Sequence, residues 1–85
     1  MPKSTACFVL ISRGYCHLCD EMREALALLV DGFTIDLKIV DVDANTDLLA
    51  KYDELVPVLL DAQGLELCHY HLDSVKVLEY LGRFG

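Results

Sequence analysis

The sequence has no tryptophan, and only seven of its 85 residues are basic. Set against fourteen acidic residues and a net charge of −7, that shortage excludes the ordinary nucleic-acid surface, which needs clustered Lys and Arg. It suits a partner that is neutral or basic. Apolar runs are short: residues 25–30 form one of the longest, against the about 20 residues a membrane span requires. The opening Met1-Pro2-Lys3-Ser4-Thr5 has neither the apolar core nor the small-residue cleavage site of a signal peptide, so the expectation is a cytoplasmic protein in a reducing compartment. Repeats, low-complexity tracts and linkers are also missing. One domain over residues 1–85 is the expected organisation, at the small end of what folds unaided.

What the chain does have is four cysteines. Without an export signal a disulfide scaffold is disfavoured, and the spacing says more than the count. Cys16 and Cys19 form a Cys-x-x-Cys pair, Cys7 lies inside an apolar run, and Cys68 stands alone. Cys7 and Cys68 read as small buried side chains.

Periodicity places the pair. Residues 5–11 are a continuous β-prone apolar run, the pattern of a strand buried on both faces. Ser12-Arg13-Gly14-Tyr15 interrupts it. From about His17 to Val30 a helix is predicted, with Leu18, Met22, Leu26 and Leu29 on its buried stripe and Gly32 just past its end. Residues 34–42 begin in strict alternation, with Ile35, Leu37 and Ile39 on one face, which predicts a half-buried edge strand. Asp43, Asn45 or Thr46 then caps a short helix through Tyr52. Val58-Leu59-Leu60 is a third strand and Asp61-Ala62-Gln63-Gly64 a hairpin turn. Residues 65–70 make a fourth strand, and Asp73 or Ser74 caps a last helix with Val75, Leu78 and Leu81 buried. The order is β-α-β-α-β-β-α. A right-handed parallel first unit and an antiparallel final pair give a four-stranded mixed sheet with helices on both faces, an α/β fold.

A Cys-x-x-Cys pair serves zinc sites, clusters and redox enzymes alike. Its position here, after a buried strand and at the first turn of a helix, favours thiolate chemistry. Unpaired backbone N–H groups and the helix dipole stabilise an anion at Cys16, lowering its pKa below the free value of about 8.5. Cys19 lies one turn further in, placed to resolve a mixed disulfide. His17 can add positive charge, while Asp20 and Glu21 act in the opposite direction.

Ser12-Arg13-Gly14-Tyr15-Cys16-His17-Leu18-Cys19 resembles the active-site segment of glutaredoxins, in which a Lys or Arg and a Tyr precede Cys-Pro-Tyr-Cys. Leu55-Val56-Pro57 falls where thioredoxin-fold proteins carry a cis-proline. The resemblance is to the small glutaredoxin-like family within the thioredoxin-fold superfamily. It implies a thiol–disulfide oxidoreductase of thioredoxin-like fold with Cys16 as attacking and Cys19 as resolving cysteine. Arg13 would bind the glycyl carboxylate of glutathione, Tyr15 would flank the disulfide, and Val56, before a cis Pro57, would pair its main chain with the substrate. Asp73 would keep the acidic role at the γ-glutamyl end. No bound cofactor is implied. Glutathione would enter as co-substrate, and the partner would be a disulfide-containing protein or a low-molecular-weight thiol, with no nucleic acid and no membrane.

Two departures stand out. His17-Leu18 replaces Pro-Tyr, and Cys68-His69-Tyr70-His71-Leu72-Asp73 occupies the region where glutaredoxins carry a Gly-Gly that lets the backbone approach the ligand closely. The alternative reading is a non-catalytic binding module or a zinc or iron–sulfur carrier using Cys16, Cys19, Cys68 and His71. In the bland readings Arg13 is a solvated loop charge, Pro57 an ordinary trans proline, and Asp41, Asp43 and Asp47 are capping and surface groups.

Overall fold

A computed structural model describes residues 5–82. The Met1-Pro2-Lys3-Ser4 stretch read above for export features lies outside the described residues. The elements run β1 (Ala6–Ser12), α1 (His17–Leu29), β2 (Ile35–Asp41), a single 3-10 turn (Val42–Ala44), α2 (Thr46–Tyr52), β3 (Val58–Leu60), β4 (Glu66–His69) and α3 (Ser74–Leu81). Among the described residues no helix is long and apolar enough to cross a membrane.

The strands form one sheet of order β2-β1-β3-β4. β1 pairs parallel with β2 through Ala6↔Ile35 to Ser12↔Asp41, and antiparallel with β3 through Val9↔Leu60, Leu10↔Leu59 and Ile11↔Val58. β3 and β4 are antiparallel, with an irregularity between Leu59 and Leu60 that leaves Leu67 as the extra residue on β4. The short hairpin is closed by Asp61, whose buried carboxylate accepts from the N–H groups of Gln63 (2.9 Å) and Leu65 (3.0 Å). Gly64 supplies the positive φ the turn needs, +81°.

The alternation of β1 sends its side chains into two separate cores. Ala6, Phe8 and Leu10 pack with Met22, Leu26 and Val30 of the α1 side and with Val77, Tyr80 and Leu81 of α3. Ile11 joins Val42, Tyr52, Val58 and Leu60 on the opposite face, beneath α2, with Val9 partly buried there. Cys7 is only half-buried, against the expectation of a core position, and β1 alternates instead of being covered throughout.

The buried faces of two helices differ from the predicted ones. On α1 the buried residues are Cys19, Met22 and Leu26, while Leu18 and Leu29 are half-covered. On α3 they are Val77, Tyr80 and Leu81, whereas Val75 and Leu78 are 63% and 45% exposed. Val77, Tyr80 and Leu81 sit at i, i+3, i+4, the helix-face spacing, whereas a repeat of three drifts around the helix. The tyrosine can be buried because its hydroxyl is satisfied. It donates to the Cys7 carbonyl (2.9 Å) and accepts from the Ala62 N–H (3.1 Å), and its ring meets Phe8 edge-on at 5.3 Å. Ile39, the third residue of the β2 alternation, is half-exposed because β2 is an edge with a neighbour on one side only.

Candidate functional site

The strand register assembles the site. Ile11↔Val58 is the last β1–β3 pair, so the chain leaving β1 (Arg13 to Cys16) runs beside the chain entering β3 (Leu55 to Pro57). The Val56–Pro57 peptide bond is cis, Pro57 is fully buried, and Val56 packs against the α2-side core. Among the described residues no main-chain hydrogen bond engages Val56.

Cys16 is the N-cap of α1, extended at φ −116°, and its sulfur accepts a hydrogen bond from the Cys19 N–H at 3.1 Å. Side-chain capping normally falls to Ser, Thr, Asp or Asn. Here sulfur takes that place, so the group meeting the unpaired N–H groups and the positive end of the helix dipole is the one that benefits from carrying charge. Cys16 and Cys19 are joined as a disulfide with Cα atoms 5.2 Å apart. Cys16 is half-buried and Cys19 is 4% exposed, so Cys16 is the more accessible residue of the two. Tyr15, Cys16, His17 and Asp20 line a shallow concavity of about 240 Å³ beside the disulfide. Asp20 also pairs with Arg23 at 3.6 Å, a surface contact of small energetic weight.

Tyr15, expected to flank the disulfide, does so with its ring fully exposed and its backbone at φ +60°. Gly14 next door does not take the left-handed conformation. A bulky residue there is uncommon, and such outliers collect at functional sites.

Arg13 has a different environment from the one expected of a ligand-binding cation. Its Nε donates to Asp43 Oδ2 (3.0 Å), one Nη to Asp43 Oδ1 (3.1 Å) and to Asp53 Oδ1, and the other Nη to the Asp53 carbonyl at 3.5 Å. The two carboxylates raise the guanidinium pKa further above its ordinary value, through hydrogen bonds first and charge second. By type and position Asp43 suits a capping or surface group, and no local pattern distinguishes Asp53. They lie 30 and 40 residues from Arg13, too far for spacing to reveal. Asp73, assigned to the γ-glutamyl end of glutathione, caps α3, accepting from the Lys76 N–H at 3.2 Å.

The β4 end also differs from expectation. The segment lacks the glycines that would give it conformational freedom, yet Tyr70 stands at φ +63°. The His71 N–H donates to the His69 carbonyl across it at 2.7 Å, a three-residue turn of the rarer hand, costing of order 1–3 kcal/mol. Cys68 is buried, and burial pushes its thiol pKa up, partly opposed by the Asp73 backbone N–H. His69 pairs with Glu66 at 2.9 Å, and His69 and His71 are both exposed. Among the described residues no group of three or more Cys, His, Asp or Glu side chains is arranged to hold a metal ion.

A mixed sheet of this order, flanked by helices on both faces and with a Cys-x-x-Cys pair at the start of the first helix, defines an α/β protein of thioredoxin-like fold. The chain belongs to the glutaredoxin-like domain family (DUF836), whose sequence model matches residues 8–82. It is similar to protein Ne2328 from Nitrosomonas europaea, at 34% identity and a TM-score of 0.84 over 94% of this chain and 95% of that one. It is also similar to a protein from X. campestris, at 34% identity and a TM-score of 0.71 over 89% and 96% of the two chains. Wheat glutaredoxin shares the fold, at 19% identity and a TM-score of 0.60 over 92% and 81%. No curated protein matches the sequence.

Proposed function

We propose that this protein is a thiol–disulfide oxidoreductase working through the Cys16–Cys19 pair. The observation that carries the reading is the Cys16 sulfur at the α1 N-cap, receiving the Cys19 N–H, in a residue that is only partly buried. In the reduced protein the Cys16 thiolate attacks one sulfur of a client disulfide. The client's S–S bond breaks, its other sulfur leaves with the electron pair and takes a proton, and a mixed disulfide forms. Cys19 then loses its proton and attacks the Cys16 sulfur, releasing the second client thiol. The client gains two electrons and two protons, and the protein ends in the oxidised form. A low-molecular-weight thiol or a thiol reductase restores the dithiol, so no bound cofactor takes part.

A disulfide within a protein or peptide is the favoured client, in a reducing cytoplasmic setting. The engagement of Arg13 by Asp43 and Asp53 and of Asp73 by the start of α3 supports this choice. In this reading, glutathione acts as reductant in solution without a dedicated carboxylate site on Arg13. A half-buried Val56 whose main chain makes no main-chain hydrogen bond among the described residues suits an extended segment added as a strand.

Two measurements test the reading. Cys16→Ser should abolish reduction of a peptide disulfide, while Cys19→Ser should accumulate a mixed disulfide detectable by intact mass. In the reduced protein, alkylation of Cys16 against pH should report a pKa below the free value of about 8.5. An unshifted titration, together with no trapped adduct in Cys19→Ser, would sink it.

A further inference from the structure

We propose that Arg13 and Tyr70 are positioning residues that grip the 53–57 segment from two sides and hold the Val56 main chain in the register that a bound client strand requires. The inference rests on the oxidoreductase reading above and names how its substrate edge is kept in place.

The segment is short and leads into β3, and its own main-chain bonds lie at its start, where the Asp53 N–H donates to the Leu49 carbonyl at 3.0 Å and the Leu55 N–H to the Tyr52 carbonyl at 2.8 Å. Its remaining anchors come from outside. From the β1–α1 side, Arg13 reaches across to the Asp53 carboxylate and, at 3.5 Å, to its carbonyl, while Asp43 fixes the other edge of the guanidinium. A planar guanidinium held by two carboxylates has few orientations left to it. From the β4 side, the Tyr70 hydroxyl donates to the Glu54 carbonyl at 2.6 Å and the Tyr70 N–H to the Pro57 carbonyl at 2.9 Å. Four contacts from two residues therefore bracket Leu55 and Val56 at both ends.

The conformation of Tyr70 is the second line of argument. A tyrosine at φ +63° in a three-residue turn persists only where its surroundings over-determine it. Both of its anchors point into the 54–57 segment, and its ring is steadied by an edge contact with His69, at 4.8 Å between centroids. Glycine would adopt this turn with less strain, but it would bring no hydroxyl to Glu54. A glycine at this position could not make that contact. Arg13, by the same geometry, joins the loop bearing Cys16 to the loop bearing Val56, so the two surfaces a client must meet together move as one.

The test uses the full chain and two variants, Tyr70→Phe and Asp53→Asn. The first removes one hydroxyl while keeping ring and turn; the second loosens Arg13 from the segment while leaving its pairing with Asp43. Turnover is measured with a peptide disulfide, which can pair with Val56, and with bis(2-hydroxyethyl) disulfide, which cannot. In parallel, amide hydrogen exchange is followed in residues 53–56. Both variants should raise KM for the peptide about 3- to 10-fold, the scale of one lost hydrogen bond, with kcat unchanged. Tyr70→Phe should leave turnover of the small disulfide as in the parent, and exchange over 53–56 should quicken in both variants while that of α1 stays the same. An equal loss on both substrates would show a general effect on the fold and overturn the proposal, as would an unchanged KM for the peptide. If the unaltered chain reduced neither disulfide, the oxidoreductase reading would fail. Exchange alone would then decide the grip: quickening over 53–56 upholds it and unaltered exchange overturns it.

Discussion

At the scale of single residues, the four cysteines divide by surroundings rather than by number. Cys16 sits where a charge is welcome, and Cys68 where it is not. Burial raises the Cys68 thiol above its ordinary value, so the folded state holds that proton more tightly than the unfolded chain does. The sign follows from linkage: the stability tied to this proton is fully present below about pH 9 and is lost as pH rises through the folded value. Urea unfolding of the oxidised protein from pH 7 to 10.5 should therefore show a decline at the alkaline end. That decline should be flatter in Cys68→Ala, by up to about 1.4 kcal/mol per pH unit in the steepest interval. Equal slopes in the two proteins would mean that Cys68 does not titrate differently on unfolding. Cys16 and Cys19 were legible as a Cys-x-x-Cys pair at a helix start because spacing and helix phase act locally. The occupation of Arg13 was not, since its partners Asp43 and Asp53 are brought to it only by the crossover and by the β1–β3 pairing.

At the scale of elements, capping and turn chemistry carry much of the definition. Asn45 caps α2 by accepting from Asp47 and Leu48, and Asp73 caps α3, as their residue types and positions predict. The β3–β4 turn was legible from Asp61-Ala62-Gln63-Gly64, but the burial of Asp61 was not. Its carboxylate is 4% exposed and serves two backbone N–H groups of the turn. Asp61→Ala should cost about 1–3 kcal/mol by leaving those donors without an acceptor, and Asp61→Asn, which keeps one oxygen, should cost less. Denaturant midpoints at constant slope read the difference. If alanine and asparagine proved equivalent, the carboxylate would not be what closes the turn. The misplaced stripe on α3 has a related cause. Val75 and Leu78 are the more apolar choice by type. Tyr80 nevertheless occupies the core because Cys7 and Ala62, remote in sequence, satisfy its hydroxyl.

At the scale of the whole molecule, the net charge of −7 acts on encounter rather than on fold. Arg13, in the loop that leads into the pair, is already matched by two carboxylates, and Asp20 and Glu21 lie exposed on α1. A peptide disulfide flanked by lysines should therefore be reduced faster than one flanked by glutamates, by about 10-fold in kcat/KM at low ionic strength. The gap should close between 0.01 and 1 M salt, as the Debye length falls from about 30 to about 3 Å. A preference insensitive to salt would locate the selectivity in direct contacts instead of the field.

Residue order by itself determined the sequence of elements, the mixed sheet, and the placement of a Cys-x-x-Cys pair at a helix start. Each of these depends on periodicity, capping or turn chemistry within a few neighbouring residues. Only the tertiary structure decided what surrounds that pair. It paired Arg13 with Asp43 and Asp53, and set Tyr70 against the 54–57 segment in a turn usually left to glycine. The physical reason is that these contacts join residues far apart in the chain. Strand register and crossover hand bring them together, and no local pattern in the sequence encodes the distance between them.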